Sequence, residues 1–521
     1  MLRKKAVVDA VQALLTTHSH ERAVFDEIAG YLRPWTGEEA ARRMHVEVDS
    51  KNRDRHAELA RMSQSPFIGL VLDTYGQSLK VDGFFTGERG LADSWKWWKR
   101  NGMARKQTGL HRACLAYGSA YCSVLPAAGG GAKINVHSPR RMVAYFGDST
   151  GFPGMEATSD EFPVLALEVD TRRHVLRLWD EECVYFIGAR YYPNEVSGWR
   201  DGGFNTSSNF ELVEAREHGV GVTPIVRYRD RWMADGEEQH GIVEHLLGLQ
   251  DRINTTNYEQ GVTQAAAAFK QRYIIGWLPK DRSEALRQDV ATTQFFKDTD
   301  VKVGQYQESD LTRYIESRQA TVRDFAAVAQ VPAQSLGANA ISNISADGLA
   351  ALETSKDRKA AEIQTCLGDS HEQLLRLCAY ITGDEVGAAD FESEVNWEET
   401  SARSFAQTVD GLGKLATMLG IPPQELWSDI PGWTRERVER ARKAQGAMPN
   451  DWLLADEDVS VPAEEVPAGE GAQGAVDKAT WDSLGVAIRA GVDPEDAARR
   501  LGLGGLKFTG DKPVSLRSPE E

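Results

Sequence analysis

Between His240 and Gly383 the apolar positions repeat at helical spacing over three long stretches. In the first, from about Gly241 to Lys270, Ile242, Leu246, Leu249 and Ile253 fall three and four apart, which places them on one helix face. It closes on the run Ala265 to Ala268, which costs little side-chain entropy in a helix. The second carries Leu311, Ile315, Val322, Phe325 and Ala329. The third begins near Ala346 and continues through Leu349, Leu352, Ile363, Leu367, Leu374, Cys378 and Ile381. Each predicted helix spans roughly 30 Å or more at 1.5 Å rise per residue, well above the usual length of about 11–12 residues. Between the first two lies an insert, Gln271 to Ser309. It predicts a strand at Tyr273 to Trp277, a short helix at Arg282 to Asp289, and further strands near Phe295 and Val301. Between the last two lies Val331 to Gly348, uncharged until Asp347 and rich in Ala, Ser, Asn and Gly. A loop of that length without structure signals is functional or disordered.

Upstream, residues 4 to 33 predict two short helices broken near Thr17 to His20, the second ending at Arg33-Pro34-Trp35. Residues 36 to 65 read as an exposed arm or loose helix. Phe67 to Leu79 is an amphipathic helix, Val81 to Phe85 a strand, and Leu91 to Tyr117 a helix pair bearing Trp95, Trp97 and Trp98. From Gly118 to Tyr228 the period shortens to that of strands: Ala120 to Leu125, Lys133 to His137, Arg141 to Phe146, Val164 to Val169, His174 to Leu178 and Cys183 to Ile187. Gly129 to Gly131 marks a hairpin. Gly219 to Tyr228 closes this part, with Pro224 arguing against a central strand. After the third long helix, Phe391 to Trp397 reads as a strand, and Ser401 to Leu419 and Arg435 to Gln445 as helices.

The length of 521 residues points to more than one domain, and 41% hydrophobic residues is enough for real cores. The net charge of −17 makes the whole chain no phosphate-seeking binder. From Met448 to the end, 15 acidic residues face 7 basic ones, a net −8, so the acidity is concentrated in a Pro/Glu/Ala/Gly-rich tail expected to be flexible. The insert is different: Lys270, Arg272, Lys280, Arg282, Arg287, Lys297 and Lys302 against six carboxylates leave +1. Five scattered cysteines without a Cys-x-x-Cys pair disfavour a disulfide framework or zinc site. The N-terminus turns polar too early for a signal peptide, and no run of about 18 apolar residues is present to span a membrane.

No catalytic constellation emerges. Gly147-Asp-Ser-Thr-Gly151 matches a nucleophile elbow, but Phe152-Pro-Gly154 follows where a helix is required, so it reads as a turn. His240 and His245 flank Glu244 at a spacing that puts the imidazoles on different helix faces. His111, His137 and His174 read as ordinary polar or core histidines. There is no phosphate-binding Gly-x-x-x-x-Gly-Lys-[Ser/Thr]. The three tryptophans could stack bases, but packing between subunits or layers is the better reading. The basic residues of the long helices, among them Lys356, Arg358 and Lys359, read as solvated faces paired with acids such as Glu353, Asp357 and Glu362. The residues alone therefore describe a non-enzymatic, helix-rich assembly protein of α+β class, mainly α.

The order of segments resembles the portal proteins of tailed bacteriophages, especially those of siphoviruses infecting actinobacteria. Trp95-Lys-Trp-Trp-Lys-Arg-Asn101 with His111 to Tyr121, Ile134-Asn-Val-His-Ser-Pro139, and Gly221-Val-Thr-Pro-Ile-Val-Arg-Tyr228 carry the resemblance. So do Leu249 to Asn254, Gln271 to Gly276, Val331 to Gly337 and Ser345 to Leu349. It covers roughly residues 1 to 445. It implies a phage portal fold with wing, helical stem, clip, long tunnel helix and crown, assembled as a ring of about twelve subunits with closed heterologous interfaces. On that pattern 1–239 is the wing, 240–269 the first stem helix, 270–309 the clip and 310–331 the second stem helix. Residues 332–348 are the tunnel loop, 349–399 the tunnel helix and completion of the wing, 400–445 the crown and 446–521 the acidic tail.

The resemblance further implies a structural virion component at one capsid vertex, made in the host bacterial cytoplasm, with no cofactor and no membrane. Double-stranded DNA passes through the channel during packaging and ejection. The implied partners are the large terminase subunit, then the head–tail adaptor, with major capsid and scaffold proteins around the ring. The DNA-facing residues expected in the loop are Gln334, Ser335, Asn339, Ser342, Asn343 and Ser345, with Lys356, Arg358 and Lys359 on the tunnel helix. Lys270, Arg272, Lys280, Arg282, Arg287 and Lys297 are expected at the docking surface of the clip. A loop without Lys or Arg suits sliding, because affinity rises steeply with each phosphate neutralised. Excising Gln334 to Ser345 is expected to leave the ring intact and impair packaging or retention. The competing readings are another head–tail connector, which would be much shorter, or a DNA-processing enzyme, which would need a catalytic residue.

Overall fold

The computed structural model describes residues 1–46, 52–86, 91–147, 161–170, 175–191, 204–233, 240–267, 272–275, 302–305, 311–338, 346–398, 405–427, 430, 433, 437–438, 440–442 and 499. All but the last belong to one compact unit, Met1–Ala447. In chain order, α1 (Lys4–Tyr31), α2 (Gly37–Arg43), α3 (Arg53–Met62) and α4 (Phe67–Ser78) precede β1 (Val81–Phe85). Then α5 (Trp95–Arg100) and α6 (Met103–Tyr117) lead into β2 (Ser119–Pro126), β3 (Ala132–His137), β4 (Met142–Tyr145), β5 (Leu165–Asp170), β6 (Val175–Trp179), β7 (Cys183–Ala189), β8 (Phe210–Glu217) and β9 (Ile225–Arg229). The long helix α7 (Leu247–Ala267) is followed by β10 (Arg272–Ile275), β11 (Lys302–Gln305) and α8 (Thr312–Ala329). Finally come α9 (Ala346–Ile381), α10 (Glu385–Ala388), β12 (Glu394–Trp397), α11 (Phe405–Leu419) and α12 (Pro423–Leu426).

The expected break in the first helical region is absent: α1 is one helix of 28 residues. Its polar middle does not interrupt it, because Thr16 Oγ1 donates to the Gln12 carbonyl and Ser19 Oγ to that of Thr16. The helix also spans two cores. Val7, Val8, Val11, Leu14 and Leu15 lie on the five-stranded sheet, against Leu167, Val169, Leu176 and Tyr185. Phe25, Ile28 and Tyr31 enter the main core. The expected loose arm at 36–65 is corrected as well: it contains α2 and α3, whose Ala40, Met44 and Ala60 are buried. The missed signal was Thr36-x-x-Glu39, a capping-box spacing; the Thr36 side chain accepts from Glu39 N at 3.3 Å.

The strand-rich part forms an antiparallel meander in the order β4-β5-β6-β7-β8, and a three-stranded sheet β3-β2-β9. The hairpin at Gly129 to Gly131 is present, with all three glycines at positive φ. Strand β9 starts just after Pro224 and lies at a sheet edge, as the proline required. Strand β8 was not legible, since its Glu211, Glu214, Arg216 and Glu217 mask alternation on a charged edge strand. The segment after the third long helix does return as a strand, β12, which pairs antiparallel with β1 (Phe85 opposite Glu394).

Helices α7 and α8 pack on each other. Helix α9, at 36 residues, is about 54 Å long at 1.5 Å per residue. In the insert, β10 and β11 pair antiparallel with Arg272 opposite Gln305; the expected short helix at 282–289 and strand near Phe295 lie outside the described residues. Trp95, Trp97 and Trp98 are buried inside the subunit core rather than presented to a neighbour. The expectation for His240 and His245 is overturned: their rings sit 5.8 Å apart, because His240 lies before the helical segment, which begins only at Glu244, so helical spacing does not relate the two. No helix among the described residues is long and apolar enough to cross a membrane.

Candidate channel-facing junction

The end of α8, the start of the small-residue loop and the middle of α9 meet over Tyr75. Gln330 takes a left-handed conformation (φ 56°), one of two non-glycine residues that do so among those described. Its N–H donates to Ala327 O at 3.2 Å and Val331 N to Ala326 O at 3.1 Å, so the last carbonyls of α8 are satisfied by a Schellman closure. Pro332 then prevents continuation, and Ala333–Leu336 makes one 3-10 turn. The same closure follows at once: Gly337 (φ 76°) donates to Gln334 O and Ala338 to Ala333 O, both at 3.0 Å.

This double turn is anchored. Leu336 and Ala338 are 4% and 2% exposed, and Val331 is also buried. The Tyr75 hydroxyl, on α4, donates to the carbonyls of Ala329 (3.0 Å) and Gln330 (3.2 Å), and burial drives its pKa well up. The start of the loop, Val331 to Ala338, is therefore a fixed knuckle, which sequence polarity did not reveal. Excision from Gln334 would remove Leu336 from the core, so a loop variant has to begin at Asn339. Gln334 is half-buried, with its Oε1 enclosed and without a hydrogen-bond partner, while Ser335 is exposed. Asn339, Ser342, Asn343 and Ser345 lie outside the described residues.

The basic residues of α9 divide in two. Lys356 is held at 3.1 Å by Glu353 and 3.7 Å by Asp357. Lys359 lies over the Tyr75 ring at 5.7 Å, and burial lowers its pKa against the pull of Asp230 and Glu362. Asp230, just after β9, is pushed up to about 7 by burial, with Arg231 and Lys359 opposing. Arg358 is exposed. So two of the three expected channel cations serve the subunit's own packing, and Arg358 is the one among them turned to solvent. Of the expected clip residues, Arg272 begins β10; Lys270, Lys280, Arg282, Arg287 and Lys297 lie outside the described residues.

No cluster of three or more potential metal ligands occurs among the described residues. A family profile described as "Phage portal protein, SPP1 Gp6-like" matches residues 77–448. The chain belongs to this family. Portal family members are structural components of the phage virion, not enzymes. The portal protein of Mycobacterium phage D29 is 24% identical over 425 residues, covering 76% of this chain and 83% of the relative. That of Mycobacterium phage L5 is 23% identical over 432 residues, with the same coverage. Among solved structures, a chain from the neck of a native gene transfer agent particle, computed with C12 symmetry, aligns with a TM-score of 0.43 and 13% identity, over 68% of this chain and 86% of that one. The portal match takes in everything from the end of α4 through the long helices; α1 to α3 precede it.

Proposed function

We propose that this portal family member closes into a ring of about twelve copies around a channel for double-stranded DNA at one capsid vertex. It serves packaging and ejection, docking the large terminase subunit first and the head–tail adaptor later. The observation that carries the reading is the portal family match across α7 to α9, together with the packed pair α7/α8 that brackets the β10/β11 ladder. Helix α8 leaves Ile315 44% and Val328 49% exposed, surface that neighbouring copies in a ring would cover. The β10/β11 region is the clip. The segment beyond the knuckle, 339–345, is the collar that brushes DNA; it contains no Lys or Arg to hold phosphates.

Electron microscopy of the purified full chain should show rings of about a dozen subunits with a central hole. A monomer that persists at every salt concentration would overturn the ring. A separate experiment addresses the collar: residues 339–345 replaced by an equal length of Gly and Ser, with 331–338 untouched. Rings should form as in the wild type, while particles carrying the variant retain much less DNA. Normal packaging would remove the collar role, and loss of rings would make the segment an assembly element instead.

A further inference from the structure

At the centre of the main core two imidazoles meet. His111 on α6 and His371 on α9 are both fully buried, with their Nε2 atoms 2.8 Å apart. His111 Nδ1 lies 3.0 Å from the Leu79 carbonyl, and His371 Nδ1 lies 3.0 Å from the Tyr228 hydroxyl on β9. These four groups fix the protons. A carbonyl only accepts, so His111 carries its hydrogen on Nδ1 and offers a lone pair at Nε2. His371 must then donate from Nε2, and its Nδ1 accepts from Tyr228. The chain is complete only with both rings neutral. Trp98 stands edge-on to His371 at 4.9 Å, and Trp397 on β12 lies 5.7 Å from His111, closing the site to water.

No countercharge is available to a proton here. The titratable groups around Tyr228 are Cys114 on α6, Cys122 on β2 and Cys378 on α9, and burial holds all of them, and Tyr228 itself, neutral. The charged groups of the surrounding elements are engaged elsewhere or face outward. Asp73 pairs with Arg112 at 2.7 Å, Lys80 with Glu398 at 3.7 Å, and Glu372 accepts from Val395 N at 3.1 Å. Lys96 and Arg100 on α5 lie by the outer Trp97, and Glu394 is exposed. Arg227 lies over the Phe146 ring at 3.7 Å, Arg376 over the Phe391 ring at 4.5 Å, and Lys106 donates to Ile134 O at 3.0 Å, while Arg105, Glu362 and Asp369 are exposed. Asp82, Lys99, Arg229 and Asp230 lie on or beside the same elements, and the hydrogen bonds of the two imidazoles run to Leu79, Tyr228 and each other.

We propose that His111 and His371 form a proton-state latch: while neutral it clamps α9 to α6 and β9, and acid opens that clamp. A first proton buries an uncompensated charge and reverses the Tyr228 hydroxyl; a second sets N–H against N–H. Burial already holds His111 down at about 4 and His371 well below its ordinary value. Opened, both return to about 6.5. Between those values the open state takes up protons that the closed state refuses, so acid favours opening, and above about 6.5 the latch is insensitive to pH. The inference concerns a single subunit and stands whether or not the ring forms.

Hydrogen exchange of the full chain, corrected for intrinsic rate, tests it from pH 7.5 to 5. Protection in 103–117 and 363–381 should be level above pH 6.5, then fall by roughly tenfold per pH unit for each imidazole. The double variant His111→Gln/His371→Gln can rebuild the same bonds but cannot take a proton, so its profile should be flat. A flat wild type, or an equal slope in the variant, overturns the latch. Should the variant fail to fold, nitrogen-15 histidine spectra of the wild type decide. One buried ring protonated on Nδ1 and one on Nε2, both still neutral at pH 5.5, support the latch. A buried imidazolium at that pH overturns it.

Discussion

Gly241→Ala should destabilise the subunit by about 3 kcal/mol, the upper end of ordinary overpacking. A Cβ at this position would stand 2.1 Å from the carbonyl oxygen of Ala116, 2.4 Å from its carbon and 2.8 Å from the carbonyl oxygen of Leu115. All three are backbone atoms at the end of α6, so no side chain can swing aside. Its φ is not in the left-handed region; the demand is for space. The chain crosses α6 here on its way into α7, and Ile242 N donates to Leu115 O at 2.8 Å, tying the two together. Alanine must push α7 off that anchor or distort α6. Gly248→Ala is the control. It lies in the first turn of α7, and a methyl added there would meet nothing within 4 Å, so it should be neutral or gain roughly 0.5–1 kcal/mol from helix propensity. Urea midpoints of the two variants against the wild type check the contrast. Equal midpoints would show that the α6–α7 crossing yields freely.

Trp98→Ala should cost about 4 kcal/mol, within the range for removing a buried aromatic ring. Trp98 is 1% exposed, stacked on Trp95 at 5.1 Å and 16°, with its edge to His371. Its indole Nε1 has no hydrogen-bond partner, so the loss is one of packing and cavity rather than of a bond. Trp98→Phe should therefore lose much less, since it keeps part of the stack and removes an enclosed donor that nothing accepts. A cavity beside His371 would also admit water to the imidazole pair. Denaturant midpoints measure the first effect. Phenylalanine proving as costly as alanine would mean that the indole, not the ring volume, matters.

Both positions show how unevenly the structure was written in the sequence. The three long helices were legible because their apolar residues repeat over many turns, and α9 begins and ends where periodicity placed it. The hairpin glycines and Pro224 were legible because each constrains its own backbone. The α1 region was misread because local polarity at Thr17 to His20 argued for a break, while two separate cores hold the helix through it. Strand β8 was hidden by its charged outer face. In the candidate channel-facing junction, the absence of charge was plain from composition. That its first residues are a packed knuckle was not, because Leu336 and Ala338 are buried only as members of the main core, whose other residues come from distant parts of the chain. The pairing of Lys356 with Glu353 and Asp357 was legible from helical spacing, whereas the place of Lys359 over Tyr75 and beside Asp230 was not, because those partners come from distant parts of the chain.

By itself the sequence determined the α+β class, the long helices, the neutral loop and the order of segments that marks a phage portal, since these depend on local periodicity and on residue types along the chain. Only the tertiary structure decided the Gly241 crossing, the knuckle over Tyr75 and the pairing of His111 with His371. Their partners lie 125, 255 and 260 residues away along the chain, and no local pattern encodes which distant backbone or side chain a residue will meet once the cores close.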